Sequence, residues 1–361
     1  MNFASDNTAG APPAILDAIA RANRGFALGY GNDDLTRAVE RRVGETFERD
    51  AAVFLVPTGT AANALALAHV APPWGAVLCH SRAHIATDEC GAPEFFGGGL
   101  KLIGLPGDGC KLAADTVRAA PARHSGHRPH FAQPAALSLS QVSEAGTIYS
   151  LAELESLADL AHAHGLSVHM DGARFVNALV RLGASPAAMS WRAGVDVLSF
   201  DATKGGALAA EAVVIFDRAK ADAMHERRKR AGHLVSKHRF LAAQLDAFLS
   251  QGNWLAWARH ANAMADRLAE KLSAGGLAPV WPVEGNLVFV VLPQAADARL
   301  RAAGASYYAR DGEDLPNGIV IKPGDALVRL VTSFATTDTE VDRFAELACG
   351  AFSGEVVPGS P

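Results

Sequence analysis

The chain has 361 residues, 49% of them hydrophobic and 20% charged, which allows a large buried core and argues against disorder. Net charge is -5, and the one dense basic run is Arg227-Arg228-Lys229-Arg230, so a nucleic-acid partner is not expected. No stretch approaches the ~18 apolar residues of a membrane span. The start lacks a cationic, apolar signal, and four cysteines without C-x-x-C spacing suit a reducing compartment better than a disulfide frame or a zinc site, so a cytoplasmic protein without metal is expected.

Residues 1–12 are small and polar and end at Ala11-Pro12-Pro13. They read as an arm with little core of its own, best ordered against a partner. A helix is expected over 13–24, with proline tolerated in its first turn. Asp33-Asp34-Leu35-Thr36 opens another, its acidic start suiting the helix dipole. Apolar strand patterns follow at 52–56, 76–79, 101–105, 135–139, 166–170, 195–200 and 212–216. Helical patterns alternate with most of them, notably at 60–70 and 151–164. That alternation predicts an α/β fold with a large, mostly parallel seven-stranded sheet over residues 13–245. From 234 the pattern becomes long and helical through 271, a bridge to a small C-terminal α/β domain over 246–352. Its strands are expected at 287–292, 319–322 and 327–331, and its last helix at 338–351. The tail, 353–361, reads as loose.

Lys204 follows the buried run 195–200, where an ammonium needs a partner or a task. Asp171 follows the run 166–170, with a helix-length segment between the two. A βαβ unit places both at the carboxyl edge of one sheet, where open α/β sheets bind ligands. A lysine for a Schiff base and a carboxylate for a pyridinium nitrogen are what pyridoxal phosphate requires of a protein. Gly205 and Gly206 are expected to leave room for an adduct at the amine, and the electropositive environment of an imine to lower its pKa. Pro57-Thr58-Gly59-Thr60 joins a strand to a helix, a phosphate cup without a lysine, although such a turn is as readily a plain N-cap. Asp171 alone also reads as a cap and Arg174 as a solvated helix residue. His84 in Ala83-His84-Ile85 can stack on a cofactor ring or move a proton. His80, His169 and His233 are its rivals, with His80 and His169 ranked as structural. Arg329, in Leu327-Val328-Arg329-Leu330-Val331, reads either as a strand-edge charge or as a clamp on an amino acid carboxylate.

With these residues in hand, the chain resembles the low-specificity L-threonine aldolase family, including its phenylserine aldolase-like branch, in the aspartate-aminotransferase-like (fold type I) class. The resemblance rests on Ser5-Asp6-Asn7-Thr8, Pro57-Thr58-Gly59-Thr60, Ala83-His84-Ile85, Glu89-Cys90-Gly91, His169-Met170-Asp171-Gly172-Ala173-Arg174 and Thr203-Lys204-Gly205. It implies Lys204 as the Schiff-base lysine, Asp171 on the pyridinium nitrogen, and His84 stacked on the ring as base or support for it. Thr58, Gly59 and Thr60 would hold phosphate, with Lys237 a further candidate. Ser5, Arg174 and Arg329 would bind the substrate carboxylate. Tyr30 would line the site from a neighbouring subunit of a dimer or tetramer. The chain departs from the family at Thr203, where serine is usual, and at Gln141-Val142-Ser143-Glu144, where the family reads glutamate-asparagine-threonine-histidine.

The expected activity is cleavage of the Cα–Cβ bond of threonine, allo-threonine or related β-hydroxy-α-amino acids to glycine and an aldehyde. A β-eliminating lyase or aminotransferase with the same cofactor is the alternative, and a non-catalytic cofactor-binding protein a remote one. An NAD oxidoreductase lacks its G-x-G-x-x-G.

Overall fold

The computed structural model describes residues 1–124, 128–312, 315–316 and 318–350. Seven strands form the main sheet: β1 Ala52–Val56, β2 Gly75–His80, β3 Lys101–Leu105, β4 Gln133–Ser140, β5 Ser167–Gly172, β6 Val197–Asp201 and β7 Glu211–Ile215. Their order is β1-β7-β6-β5-β4-β2-β3. All neighbours are parallel except β7, which runs against both β1 and β6. β1, β2, β6 and β7 are buried at every residue. Strands covered on both faces by helices need apolar residues at every position, which is why they read as unbroken runs. The expected helices are Pro13–Ala22, Asp34–Thr46, Gly59–Val70, Leu151–Ala163 and Asp338–Cys349.

A second sheet, β8 Leu287–Leu292, β9 Tyr308–Ala309 and β10 Ala326–Val331, is antiparallel in the order β8-β10-β9. Its side chains alternate as pleating requires. Leu287, Phe289, Leu327 and Val331 join the core of the main sheet. Val288, Val290, Leu292, Val328 and Leu330 face a separate core with Leu268 and Phe344.

Three expectations are corrected. The segment 319–322 is not a strand: Ile319 and Val320 are exposed and pair with no strand, and Tyr308–Ala309 is the third strand instead. The long helical stretch is two helices, Arg239–Leu249 and Asn253–Ala274, broken where Gln251 and Gly252 take positive φ of 55° and 73°. The beginning of the arm needs no partner subunit. Phe3 is fully buried in the second core, edge-on to Phe344 at 5.0 Å. Its amide donates to Ser306 O, and its carbonyl accepts from the Val331 amide, each at 2.8 Å. Burying one such ring contributes about 1.5–3 kcal/mol, enough to hold a short segment without a neighbour. Residue 351 and the tail 353–361 lie outside the described residues.

Candidate active site

Parallel pairing brings the carboxyl ends of β4, β5 and β6 into one row, with Ser140, Asp171 and Ser199 in register. Because β7 is reversed, its first residue, Glu211, meets Asp201 of β6 on one side and Val56 of β1 on the other. The turn after β1 therefore joins the same edge. A cavity of about 650 Å³ opens there, lined by Thr58, His84, Asp171, Lys204 and Arg329 among others. These five residues come from five distant segments, and the edge rule for α/β sheets accounts for Asp171 and Lys204 among them.

Lys204 is held by Asp201. One carboxylate oxygen accepts the Lys204 amide at 2.8 Å, and the other accepts Nζ at 3.1 Å. Burial works to lower the ammonium's pKa, but Asp201 first, then Glu211 and Asp6, raise it above the ordinary lysine range. Lys204 is here a paired cation. Burial drives Glu211 well above the usual carboxylate range, with the Asp201 charge adding to it, and burial raises Asp201 against the pull of Lys204. Sequence reasoning missed both acids. Asp201 stood in view three residues before Lys204, and Glu211 opens an apolar strand where a charge needs a reason. The two glycines are also corrected. A Cβ on Gly205 would lie 2.6 Å from the Phe248 ring, and Gly206 has φ +136° against Trp257 and Pro12. Helix packing demands them, not room at the amine.

Asp171 is nearly sealed from solvent. It accepts from Asn63 Nδ2 at 2.9 Å and from the Ala173 amide at 3.0 Å. It does not cap the following helix, whose N-cap is Arg174. Asn63 also donates to Glu89 at 2.8 Å, and Glu89 lies 2.8 Å from His84 Nδ1. That hydrogen bond raises the His84 pKa against burial. The rival histidines lie elsewhere. His169 sits between Ser138 and Ser199, and burial lowers it to about 4. His80 meets Gly107 O at 3.0 Å, and His233 packs on Phe96.

Thr58 is the N-cap of Gly59–Val70, its side chain accepting from the Ala61 amide, so the plain-cap reading is true of it. The first-turn amides of that helix still lack intrahelical partners, and Gly59 and Thr60 line the cavity. A Cβ on Gly59 would meet nothing closer than Asp201 at 4.0 Å, so the cradle is open.

Arg329 is on the central strand of its sheet, on the face of Leu327 and Val331 that turns toward the main core. The strand-edge reading is therefore corrected. Burial, with Arg174 and Arg310 nearby, lowers its pKa to about 10. Its Nε is buried without a partner, and its other recorded hydrogen bond is a long one of 3.4 Å to Ala4 O. Arg174 is committed elsewhere: it grips Asp6 through Nε at 2.8 Å and a terminal nitrogen at 3.0 Å. Ser5 caps the turn before Asn7 and does not line the cavity, although Asp6 and Asn7 do. Tyr30 and Lys237 are exposed and outside the cavity of their own chain, with Lys229 stacked 4.6 Å over the Tyr30 ring.

An anionic aromatic aldehyde fits what is present: a helix amino end with an open cradle, a half-buried amine, a fixed carboxylate and an orphaned guanidinium nitrogen. Among the described residues, no three His, Cys, Asp or Glu side chains gather to hold a metal, and no helix is long and apolar enough to cross a membrane. The family model described as beta-eliminating lyase matches residues 2–295. The low specificity L-threonine aldolase of Pseudomonas aeruginosa is 41% identical over 96% of this chain and 95% of its own. That of a Pseudomonas species is 39% identical over 85% of this chain and 88% of its own. Among solved structures, Leishmania major threonine aldolase superposes with a TM-score of 0.88 at 30% identity, covering 96% of this chain and 98% of that one. Sphingomonas wittichii serine palmitoyltransferase reaches 0.72 at 14% identity, covering 97% and 86%, a likeness of fold alone. A match over most of the chain and a shared fold agree: the chain belongs to the beta-eliminating lyase family, on its low-specificity L-threonine aldolase branch.

Proposed function

We propose that the protein is a pyridoxal phosphate-dependent carbon–carbon lyase that converts L-threonine, L-allo-threonine and related β-hydroxy-α-amino acids to glycine and an aldehyde. The observation that carries this reading is Lys204, half-buried at the carboxyl edge of the sheet in the cavity that Asp171 also lines. When bound, pyridoxal phosphate supplies the electron sink for the Cα–Cβ pair. Thr58, Gly59 and Thr60 would hold its phosphate at the helix amino end. Lys204 would hold its aldehyde carbon, Asp171 would keep its ring nitrogen protonated, and His84 would lie against the ring. Arg329 offers two parallel N–H groups to the substrate carboxylate. Arg174 supports that end of the site by fixing Asp6 on the arm. Holding the Cα–Cβ bond perpendicular to the ring selects which bond breaks. Incubating the yellow purified protein with threonine, allo-threonine and phenylserine tests the reading. Glycine and aldehyde are expected. Pyruvate with ammonia, or amino transfer to a keto acid, would put the protein with the eliminating lyases or the aminotransferases.

The protein also acts as a homo-oligomer, a dimer or tetramer, with Tyr30 and Lys237 reaching a neighbour's site. Supporting this, Phe26, Leu28 and Tyr30 are exposed, and Tyr30 donates its amide to Ser236 O, next to Lys237, at 3.0 Å. Mixing inactive Lys204→Ala with inactive Tyr30→Ala subunits should regenerate activity, because a mixed dimer carries one intact site. A monomer by sedimentation that still turns over threonine would end the shared-site idea.

A further inference from the structure

Asp201 and Glu211, the acids beside Lys204, also stand where the phosphate of a cofactor would come to rest. Asp201 Oδ2, which accepts Lys204 Nζ at 3.1 Å, is the atom across the open cradle, 4.0 Å from where a Cβ on Gly59 would lie. Glu211 is directly opposite Asp201 in the antiparallel pair of β6 and β7, so the two side chains leave the same face of the sheet. On its other side Glu211 meets Val56, from which the chain turns into Pro57 and Thr58. Both acids line the cavity, and neither is more than 5% exposed. Glu211 Oε2 has no partner. An anion cradle at a helix amino end gains from positive potential, yet this one has a carboxylate at its side.

We infer that the cradle takes phosphate together with a proton, and that Asp201 and Glu211 are the pair that holds this proton. The inference rests on the pyridoxal phosphate reading above and adds to it a coupling between pH and the hold on the cofactor. The count of charges carries it. One ammonium, on Lys204, is bonded to this pair of carboxyls. A phosphate at the helix amino end brings further negative charge up to Asp201. Lys204, once bonded to the aldehyde carbon of the cofactor, is no longer a free ammonium. Two carboxylates that share a buried site disfavour each other's ionisation, and a phosphate beside them adds to the effect. One proton held between the two acids relieves it, and such a proton belongs to the pair and not to either residue. It arrives from water by way of the cavity, where the half-buried Lys204 side chain touches Asp201.

The charged groups that face the pair are few. Lys204 comes from the turn after β6, Asp6 from the arm, and Arg174 from the turn after β5, where it is bonded to Asp6. Asp171 and His84 share the cavity from farther along its wall. The turn after β1 and the helix Gly59–Val70 present only neutral residues there, Pro57, Thr58, Thr60 and Asn63 among them. In agreement with the geometry, burial already raises both acids against the pull of Lys204. A ligand that raises a group's pKa binds best below that group's value in the free protein, and it loses affinity as pH climbs from there. Phosphate and cofactor should therefore be held less firmly as pH rises.

The test measures binding and not turnover. Inorganic phosphate and pyridoxal phosphate are titrated separately into the full-length, cofactor-free protein, as wild type, Asp201→Asn and Glu211→Gln. Calorimetry follows phosphate, and absorbance follows the cofactor. Asparagine at 201 keeps an oxygen for the Lys204 amide and removes the charge. Near pH 9 either variant should bind both ligands about tenfold or more tightly than wild type, and the advantage should shrink as pH is lowered toward about 6, since one coupled proton changes affinity by about tenfold per pH unit. Wild type should also take up more protons per phosphate bound, read from buffers of different ionisation enthalpy. Variants that bind no more tightly than wild type at any pH would overturn the inference and leave Asp201 a cap for the Lys204 turn. An advantage of constant size across the pH range would overturn it as well, because a Lys204 released from its carboxylate would then be drawing the phosphate. Should Asp201→Asn not fold, Glu211→Gln decides by the same two criteria. If wild type bound inorganic phosphate with this proton uptake but refused pyridoxal phosphate at every pH, the cofactor reading would fail while the coupling stood.

Discussion

Lys204→Ala should abolish turnover and remove the borohydride-trapped link between protein and pyridoxal phosphate. The expectation follows from position, because Lys204 is the lysine lining the cavity at the carboxyl edge of β6. A trapped peptide centred on a different lysine would overturn the assignment. The substitution has a second consequence that does not depend on the cofactor. Nζ is the cation that holds Asp201, and its charge opposes the upward shift of Glu211. Without it, two fully buried carboxyls face each other with no counter-charge, and both are raised by burial. A carboxyl whose folded pKa lies above its unfolded value stabilises the fold at low pH and loses that contribution as pH rises through the folded value. The melting temperature of Lys204→Ala should therefore fall relative to wild type as pH rises from the ordinary carboxylate range, near 4–5, toward neutrality. A difference that stays constant with pH would mean that Asp201 and Glu211 find another partner.

Arg329→Ala should cost about 3–5 kcal/mol in kcat/KM for threonine, a loss of a hundredfold or more, because the substrate carboxylate would be left buried and unpaired. The pleat of β10 turns Arg329 toward the cavity, and its Nε waits without a partner. Arg329→Lys should recover only part of the loss, since a point charge cannot make the bidentate contact. A change below threefold for Arg329→Ala would reduce the residue to a packing role between the two sheets.

Much of this site was legible because the information was local. Strands buried on both faces must be apolar throughout, so the runs before Asp171 and Lys204 announced both their burial and the edge where they end. Arg329 was half legible. Alternation along β10 already put it with Leu327 and Val331, and only the destination of that face was missing. Asp201 and Glu211 were harder. What makes them important is register: Glu211 meets Asp201 because β7 reverses against β6. No periodicity encodes such meetings. The false strand at 319–322 has the opposite cause, since apolar residues announce burial only where something covers them, and Ile319 and Val320 have no strand beside them.

The tether at the beginning of the chain bears on how the protein is made. Phe3 completes a core whose other walls include Val328, Leu330 and Phe344, and Asp6 closes a bond to Arg174 and another to Asn286. A ribosome delivers Phe3 long before Phe344. At roughly 5–20 residues per second, at least ~15 seconds separate the two. Throughout that interval the main sheet can form, strand by strand, while the opening segment stays outside it with an uncovered aromatic ring. Phe3 finds its place only once Phe344 has been made. Residues 1–6 thus act as the clasp of the molecule, fastened only after the helix Asp338–Cys349 has left the tunnel.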